Sequence, residues 1–427
     1  MDFKKIFKDA KKAGITELNI IVKNNNVFKV EILDDKLDKY NGRESSWYSF
    51  TGKYNKKLGS YSSENYQESD NDLIIKTMIQ NATLKDLDEE VIFPDDKNKV
   101  EHIVKEPVVD LSKKMIEVNN YYQELKAYNP LIKKVHILFD YTYNRIRIIN
   151  SHGLDKEDSI YSYGYYLSVS AQKDDIIKSE YTSYSGINDI DIKDKLYELA
   201  DEAIKKLSPI EIRADKYKVI LSPRTSAKLF SAFIQTFYGG AVQKDNSLFK
   251  DKLKEIIASK KLTIIEDPRD KKSAYKRLFD AGGTDTYKKE LITNGKLNMF
   301  LYNLLTAARG KTESTGNDFK GTGFRNMYIK PLNKTKEELF ELVGSGVLVT
   351  DVRSLHSGAN LTSGNISVQA EGFLIKDGKL AGAIDYFVLN TDFKSLLKNI
   401  EEIGSDLEVS GNFRSPSIVI SNVDITT

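Results

Sequence analysis

The amino-acid sequence predicts an α+β fold, in which an N-terminal helix-and-sheet region precedes a C-terminal domain rich in antiparallel hairpins with packed helices. Two hairpin signals support this prediction, because Asn294-Gly295 and Asp377-Gly378 each separate two short strand-like runs, as tight two-residue turns do. The clearest helical stripe, residues 194–207, is one of several that do not alternate regularly with strands. That irregular order favours α+β over a doubly wound parallel sheet.

The chain has 427 residues, enough for two or three domains of ordinary size. Residues 1–85 are predicted to form an N-terminal α+β domain. Two strand-like runs, Glu17–Lys23 and Val27–Leu33, flank three consecutive asparagines, which tolerate the left-handed backbone of a tight turn. A helix is predicted at Asp70–Ala82, with Leu73 among its inward-facing residues.

A charged, irregular stretch at 83–109 is interpreted as a linker or a long surface excursion. It leads into a central strand-rich domain predicted at 110–210, and a C-terminal domain is predicted at 215–427. The C-terminal domain opens with a strand followed by Ser222 and Pro223. These two residues suit the N-cap and the first position of a helix.

Two further helix starts are predicted in the C-terminal domain. Thr335 and Glu338 have the spacing of a capping box. Thr391 is predicted to cap a last helix that runs through Ile403.

Charged side chains are numerous but nearly balanced. Lysine and arginine total 64, aspartate and glutamate total 62, and the formal net charge is +2. A nucleic-acid-binding surface usually shows a basic excess, so direct nucleic-acid binding is not expected. No run of about 18 apolar residues occurs, so no membrane partner is expected either. The chain is therefore expected to be cytoplasmic.

Few residue types are available for metal or thiol chemistry. The sequence contains no cysteine, which excludes disulfides, thiol nucleophiles and thiolate metal ligands. Its four histidines are His102, His136, His152 and His356. No two of them share a helical turn, and neither H-E-x-x-H nor H-E-x-x-x-H occurs, so no histidine-based metal site is predicted.

Carboxylates offer an alternative metal site. Hard metal ions prefer oxygen ligands, and four acidic residues lie near one another in the sequence: Glu266, Asp267, Asp270 and Asp280. Acidic residues in loops are usually only solvated. A stand-alone hydrolase that uses these carboxylates as metal ligands is for this reason only an alternative to the main hypothesis.

Two polar, glycine-rich loops are candidates for binding a peptide main chain, because such loops expose backbone N–H and C=O groups. One spans Gly310–Asn317 and the other spans Leu355–Asn365. The candidate residues are Ser314, Thr315, Gly316, Asn317, His356, Gly358, Asn360 and Thr362. A flexible connection with no ligand is the competing interpretation.

A series of short motifs resembles the C-terminal domain of the TldD/PmbA family, the so-called modulators of DNA gyrase. In order, the matching segments are Tyr217–Pro223, Gly239–Gln243, Phe279–Thr284, Leu291–Gly295, Ser314–Asn317, Gly358–Gly364, Glu371–Leu380 and Ile403–Asp406. Gly282 stands where the family usually has glutamate. Weaker likeness extends to the first half, for example at Ile149–Gly153. The order of these motifs over some 200 residues carries the resemblance.

The resemblance implies a heterodimeric peptidase in which one subunit holds zinc through H-E-x-x-x-H and a later cysteine. In the register of the resemblance, the motif positions fall on Ser231, Ala232 and Thr236, none of which is a usual zinc ligand. The segment that would carry the cysteine corresponds to Val409–Arg414 and has none. The chain therefore resembles the PmbA-type, or TldE-like, subunit that lacks the zinc motif.

The expected function is that of a non-catalytic subunit in a complex that processes small, unfolded or modified peptides. No cofactor is expected in this chain, and zinc is expected only in a partner. That partner would be a homologous zinc-bearing TldD-type subunit, although a homodimer is kept open. Besides the carboxylate-based hydrolase, a regulatory binding protein of a DNA-gyrase-associated system remains an alternative.

Overall fold

The first half of the chain is built around long antiparallel strands. The computed structural model describes residues 2–34, 36–40, 44–85, 93–94, 99–408 and 410–427. The N-terminal elements are α1 (Lys4–Lys12), β1 (Glu17–Leu33), β2 (Lys36–Tyr40), β3 (Ser45–Tyr54), β4 (Lys57–Ser63) and α2 (Asn71–Thr83). Those that follow are β5 (Val100–His102), α3 (Leu111–Tyr128), β6 (Ile132–Asn150), β7 (Asp155–Lys173), β8 (Ile176–Gly186) and α4 (Lys193–Lys205).

These strands form one eight-stranded sheet. Its main order is β4-β3-β1-β6-β7-β5, with β2 paired to β1 and β8 paired to β7. The strands of the predicted N-terminal and central domains therefore share hydrogen bonds. Most of the stretch interpreted as a linker, residues 86–92 and 95–98, lies outside the described residues.

The predicted turn at the three asparagines is wrong, because β1 runs through it without interruption. Asn25 pairs with Ser45 of β3 on one side and with Asn144 of β6 on the other. Asn24 donates its side-chain amide to the Ser46 hydroxyl at 2.9 Å. Pairing with two neighbouring strands supplies hydrogen bonds that a tight turn would forgo, and this tertiary context overrides the local turn preference.

The inward face of α2 differs from the prediction at Leu73, whose side chain is 57% exposed. Ile74, Met78 and Ala82 are buried instead, and their spacing of four residues places them in one row along the helix. The helix is thus present as predicted, but its apolar stripe is rotated away from Leu73.

The C-terminal part of the chain contains three kinds of element: short strands, short helices and two long hairpin strands. Its first elements are β9 (Asp215–Leu221), α5 (Pro223–Phe233), α6 (Gly239–Gln243), β10 (Ile264–Glu266), β11 (Lys289–Thr293), β12 (Lys296–Leu297), α7 (Leu304–Arg309), β13 (Met327–Ile329) and α8 (Lys336–Val343). The remaining ones are β14 (Gly346–Val352), α9 (Leu355–Gly358), β15 (Asn365–Lys376), β16 (Lys379–Asp392), α10 (Phe393–Lys398), β17 (Ile400–Ile403), β18 (Phe413–Arg414) and β19 (Ile418–Thr426).

Two more sheets are formed by these described strands. A six-stranded sheet has the order β16-β15-β14-β9-β19-β17, and β16 also pairs with β19, which closes the sheet on itself. A five-stranded sheet has the order β12-β11-β10-β13-β18. One large apolar cluster joins both sheets, and within it the stacked rings of Phe233 in α5 and Phe393 in α10 lie 4.4 Å apart.

Both predicted hairpin turns are confirmed, and so is the α+β fold. Asn294 and Gly295 have φ angles of 48° and 79°, and Asp377 and Gly378 have φ angles of 51° and 71°. Positive φ at both central residues is the signature of the tight turn that suits right-twisted hairpins.

The predicted last helix is wrong at both ends. Asp392, and not Thr391, caps α10, because its carboxylate accepts the Ser395 N–H at 2.9 Å. The helix ends at Lys398, and the remaining residues up to Ile403 form β17. Ile400–Ile403 pairs with β19, so sheet pairing ends the helix earlier than its apolar pattern suggested.

A buried ion pair connects the eight-stranded sheet to the closed sheet. Lys206, just after α4, donates to the Glu180 carboxylate of β8 and to the Thr350 hydroxyl of β14, the latter at 3.1 Å. Both charged side chains are only 2% exposed. Such a pair fixes the relative position of the two sheets, because neither charge can be buried alone without a large desolvation cost.

Candidate functional site

The segment that carries the degenerate motif positions begins at α5. The Ser222 hydroxyl accepts the Thr225 N–H at 3.3 Å, and Pro223 occupies the first turn, so both predicted roles are confirmed. Leu229 and Phe230 turn one face of the helix into the core. The opposite face is free to line a surface groove.

Three polar residues mark that opposite face: Arg224, Lys228 and Ser231, at the spacing of successive helical turns. The Lys228 ammonium donates to Asp351 at 2.5 Å and to the Tyr181 hydroxyl at 2.6 Å. Arg224 lies over the ring of Tyr181, 4.4 Å from its centroid. Lys228 and Asp351 are 123 residues apart in the sequence, so no local pattern could have indicated this cluster.

A groove of about 350 Å³ runs along this face. Its opposite wall is the segment 410–415, which corresponds to the region where the family resemblance would place a cysteine. Ser410 anchors this wall to β8, because its hydroxyl donates to the Ser183 carbonyl at 3.0 Å. The Ser226 and Ser415 hydroxyls, 2.6 Å apart, join the wall to α5.

The three motif positions do not converge in this groove. Ser231 lines it, and its hydroxyl donates back to the Lys228 carbonyl at 3.3 Å. Ala232 packs against the apolar core. Thr236 is buried in the 3-10 turn after α5, where its hydroxyl accepts the Leu248 N–H at 2.7 Å.

The groove does not fit a zinc ion. The charged side chains that line this groove together with Ser231 are the cations Arg224, Lys228 and Arg414 and one carboxylate, Glu408. Zinc sites in proteins use thiolate, imidazole and carboxylate ligands, and of these the groove offers one carboxylate. Across the described residues, moreover, no three His, Asp or Glu side chains are placed to hold a metal ion.

The histidines are dispersed. His102 lies 2.8 Å from an oxygen of Asp158, and His136 lies 2.7 Å from one of Glu31. His152 faces Glu17 at 3.2 Å. Each of these three imidazoles therefore faces a carboxylate of its own.

The last residues of the first candidate peptide loop are packed into the protein interior. Asn317 is fully buried, and its amide donates to both oxygens of Glu266 at 3.0 Å. The Thr315 hydroxyl donates to Asn317 at 2.7 Å. Gly316 has a φ of +71°, and a Cβ there would meet the Asp285 carbonyl at 2.6 Å. Ser314 and Thr315 are half-buried, whereas residues 310–313 at the start of the loop are exposed.

The second candidate loop is exposed. His356, Asn360 and Thr362 are exposed, and Gly358 is half-buried. The Asn360 side chain accepts the Thr362 N–H at 3.0 Å, which holds the loop in a turn. The hydrogen bonds of its described residues are made within or directly beside the loop, to β15 and to Phe393, and none of them reaches Ser314–Asn317.

The acidic residues of the alternative metal site are each engaged separately. Asp267 lies 3.3 Å from Lys288, and Glu266 lies 3.0 Å from the buried ammonium of Lys289. Asp280 accepts backbone N–H groups from Gly282, Thr284 and Asp318 at 2.9–3.0 Å. A carboxylate-based metal site therefore has no support in the described residues.

A second and larger cavity, of about 860 Å³, lies between the eight-stranded sheet and loops of the C-terminal part. Strands β1, β3 and β6 form one wall. The other wall comes from segments 277–282, 303–305 and 318–325. The sequence gives no indication of this cavity, because the segments that form its walls are far apart along the chain.

Comparison with known proteins identifies the family. Residues 214–427 match the model of the PmbA/TldA metallopeptidase C-terminal domain, and residues 100–208 match that of the corresponding central domain. The chain belongs to the PmbA/TldD family. The family resemblance seen in the sequence is thereby confirmed.

Relatives and solved structures agree with this assignment. The metalloprotease PmbA homolog of Buchnera aphidicola is 28% identical over 259 residues, which is 61% of this chain and 54% of that protein. The chain spans about half the length of curated relatives such as this one. A crystal structure from Thermotoga maritima, of a candidate modulator of a DNA gyrase, has 25% identity and a TM-score of 0.87 over 99% of this chain and 98% of that one.

The TldE structure from Thermococcus kodakarensis shares the fold. It has 20% identity and a TM-score of 0.86 over 99% of each chain. Both solved structures thus share the fold of this chain along nearly its whole length. As for membranes, none of the described helices is both long enough and apolar enough to cross a bilayer.

Proposed function

We propose that this chain is a non-catalytic subunit of a PmbA/TldD-type peptidase assembly. The observation that carries the proposal is the groove along α5, where the register of the family motif places Ser231 and where Lys228 also lines the wall. A hydroxyl and a cation cannot replace the imidazoles that bind zinc or the glutamate that acts as a base. Relatives named metalloproteases supply the link to peptide hydrolysis.

The hydrolytic step belongs, under this proposal, to a homologous zinc-bearing subunit. This chain would complete the chamber in which a peptide is enclosed. Its exposed loop His356–Thr362, and Ser314 at the edge of the other loop, would offer hydrogen bonds to the peptide main chain. The assembly would act inside the cytoplasm on small, unfolded or modified peptides.

The experiment mixes this chain with a related chain from the same organism that carries H-E-x-x-x-H. We expect the mixture to elute as one complex in size-exclusion chromatography and to cleave short peptides, as followed by mass spectrometry. This chain alone should leave the same peptides intact, because it lacks the groups that activate water.

The control mixture contains the zinc-bearing chain with both motif histidines replaced by alanine, and it should form the complex without cleaving peptides. Peptide cleavage by this chain alone, or by the control mixture, would contradict the proposal. So would the absence of any association between the two chains.

A further inference from the structure

The large cavity between the eight-stranded sheet and the C-terminal loops carries an excess of positive charge. Lys23 of β1 lines one wall, and Arg277, Lys320 and Arg325 line the other. Within the part of the chain that the structure describes, Lys23, Arg277 and Lys320 form no ion pair. Three cations that face one cavity without forming an ion pair create a site that attracts an anion.

The charges of these side chains are close enough to affect one another. Burial, and then the positive charge of Arg277, Lys320 and Arg325, lowers the pKa of Lys23 below its ordinary value. Burial likewise lowers the pKa of Arg277. Lys23 and Arg277 would both be stabilised in their charged forms by a bound anion.

Arg277 has an unused hydrogen-bond donor. Its Nη1 atom is shielded from solvent and has no hydrogen-bond partner. The nearest compensating carboxylate, Asp158, is already engaged by His102 at 2.8 Å and by the Leu278 N–H at 3.1 Å. A buried donor without an acceptor is unfavourable, so no hydrogen bond from this atom to a described residue offsets the burial of the Arg277 charge.

The two acidic residues of the cavity do not neutralise these cations. Asp280 directs its carboxylate at three backbone N–H groups. Burial raises the pKa of Asp280 to about 7 and that of Asp318 to about 6. Even with both carboxyls ionised, the cations that line the cavity outnumber them, so the cavity keeps a positive surplus.

Part of the remaining lining is apolar, alongside polar side chains of the sheet such as Ser49 and Asn144. Ile21 and Ile146 lie on the sheet side, and Phe279, Leu304 and Phe319 lie on the loop side. Trp47 of β3, the single tryptophan of the chain, also faces the cavity. A ligand that matches both features has a negative group at one end and an apolar body.

We propose that this cavity binds the C-terminal end of a short peptide, with Arg277 and Lys23 holding the α-carboxylate and the apolar wall taking the last side chain. Arginine suits this task, because its planar guanidinium matches the two oxygens of a carboxylate. The choice of a peptide as the ligand rests on the proposed function. The carboxylate recognition itself rests on the cavity.

The test is a titration of the full chain followed by the fluorescence of Trp47. The probes are Ala-Ala-Leu with a free carboxylate, the same peptide with a C-terminal amide, an Ala-Asp-Leu amide whose only carboxylate is on the side chain, and inorganic phosphate. We expect saturable binding of the free peptide and at least tenfold weaker binding of the other three. Equal affinity for the amide, the aspartate peptide or phosphate would overturn the proposal, and so would no binding of the free peptide.

Variants locate the site. Lys23→Met and Arg277→Gln should each weaken binding of the free peptide about tenfold or more, as loss of a charge-assisted hydrogen bond does. Lys29→Met changes an exposed lysine on the same strand, outside the cavity, and should leave the affinity within about twofold. Circular dichroism checks that each variant is folded, and unchanged affinity in folded Lys23→Met and Arg277→Gln would contradict the assignment.

A failure of the carboxylate site can be distinguished from a failure of the proposed function. If the free peptide does not bind here while the mixture with a zinc-bearing chain cleaves peptides, only the carboxylate site is wrong. If the peptide binds here but this chain alone holds zinc and cleaves it, only the non-catalytic assignment is wrong.

Discussion

Replacing Lys289 with methionine is expected to destabilise the protein by about 3–5 kcal/mol, because it leaves the Glu266 carboxylate buried without a cation. Glu266 and Lys289 are 0% and 1% exposed, and their charged atoms lie 3.0 Å apart. Asn317 and the Arg325 N–H would still donate to the carboxylate, but neither carries a compensating charge at that point. Chemical denaturation followed by circular dichroism measures the loss.

A matched control is Lys252→Met. Lys252 also lies near a glutamate, Glu255, at 2.8 Å, but both side chains are 52% exposed. Exposed pairs contribute little to stability, so the denaturation midpoint should not change. The double variant Lys289→Met with Glu266→Gln should recover part of the loss, because no buried charge then remains unpaired. Equal stability of Lys289→Met and the control would refute the role assigned to this pair.

Replacing Lys206 with methionine should have a similarly large effect, and one that depends on pH. Burial raises the pKa of Glu180 to about 7, while the neighbouring ammonium of Lys206 acts in the opposite direction. Without Lys206 that pKa rises further. A carboxyl with a raised pKa in the folded state stabilises the fold at low pH and loses this contribution as the pH increases through that pKa.

The loss in Lys206→Met is therefore expected to be about 3–5 kcal/mol at pH 8 and clearly smaller at pH 5, where Glu180 is protonated. Denaturation curves of the variant and the parent chain at the two pH values give the comparison. Lys195→Met, on the same helix, removes the cation of an exposed pair with Glu198 and should show no such pH dependence. A loss that is equal at both pH values would contradict the account of this ion pair.

Local signals in the sequence were reliable where the backbone conformation is decided by nearby residues. Ser222 caps α5 as predicted, and the Thr335 and Glu338 capping box starts α8. Asn294-Gly295 and Asp377-Gly378 form the predicted turns. In each case the hydrogen bonds or φ angles involve residues at most three positions apart.

Predictions from the sequence were wrong where contacts with distant segments determine the local structure. The three asparagines lie in an extended strand because β6 pairs with all of them and β3 pairs with Asn24 and Asn25 on the other side. Leu73 is exposed because the packing partners of α2 select another face. Neither the extended asparagines nor the exposed Leu73 could be derived from the residue pattern of its own segment, because the deciding contacts come from other segments.

In the candidate sites, too, local features could be predicted from the sequence and long-range clusters could not. The lack of H-E-x-x-x-H and of cysteine could be read directly from the sequence, and so could the segment around Ser231. The cluster of Lys228, Tyr181 and Asp351 could not, nor could the cationic cavity around Arg277, because their members come from separate strands and loops. Such sites depend on the fold as a whole.

We propose that the groove around Ser231 does not hold a catalytic zinc ion. The most direct measurement is the metal content of the purified chain, by inductively coupled plasma mass spectrometry, after incubation with zinc and removal of the excess by gel filtration. We expect far less than one zinc per chain, because the groove around Ser231 offers hydroxyls and cations where zinc requires imidazole, thiolate or carboxylate ligands. One tightly bound zinc per chain, together with peptide cleavage that a chelator abolishes, would contradict the account.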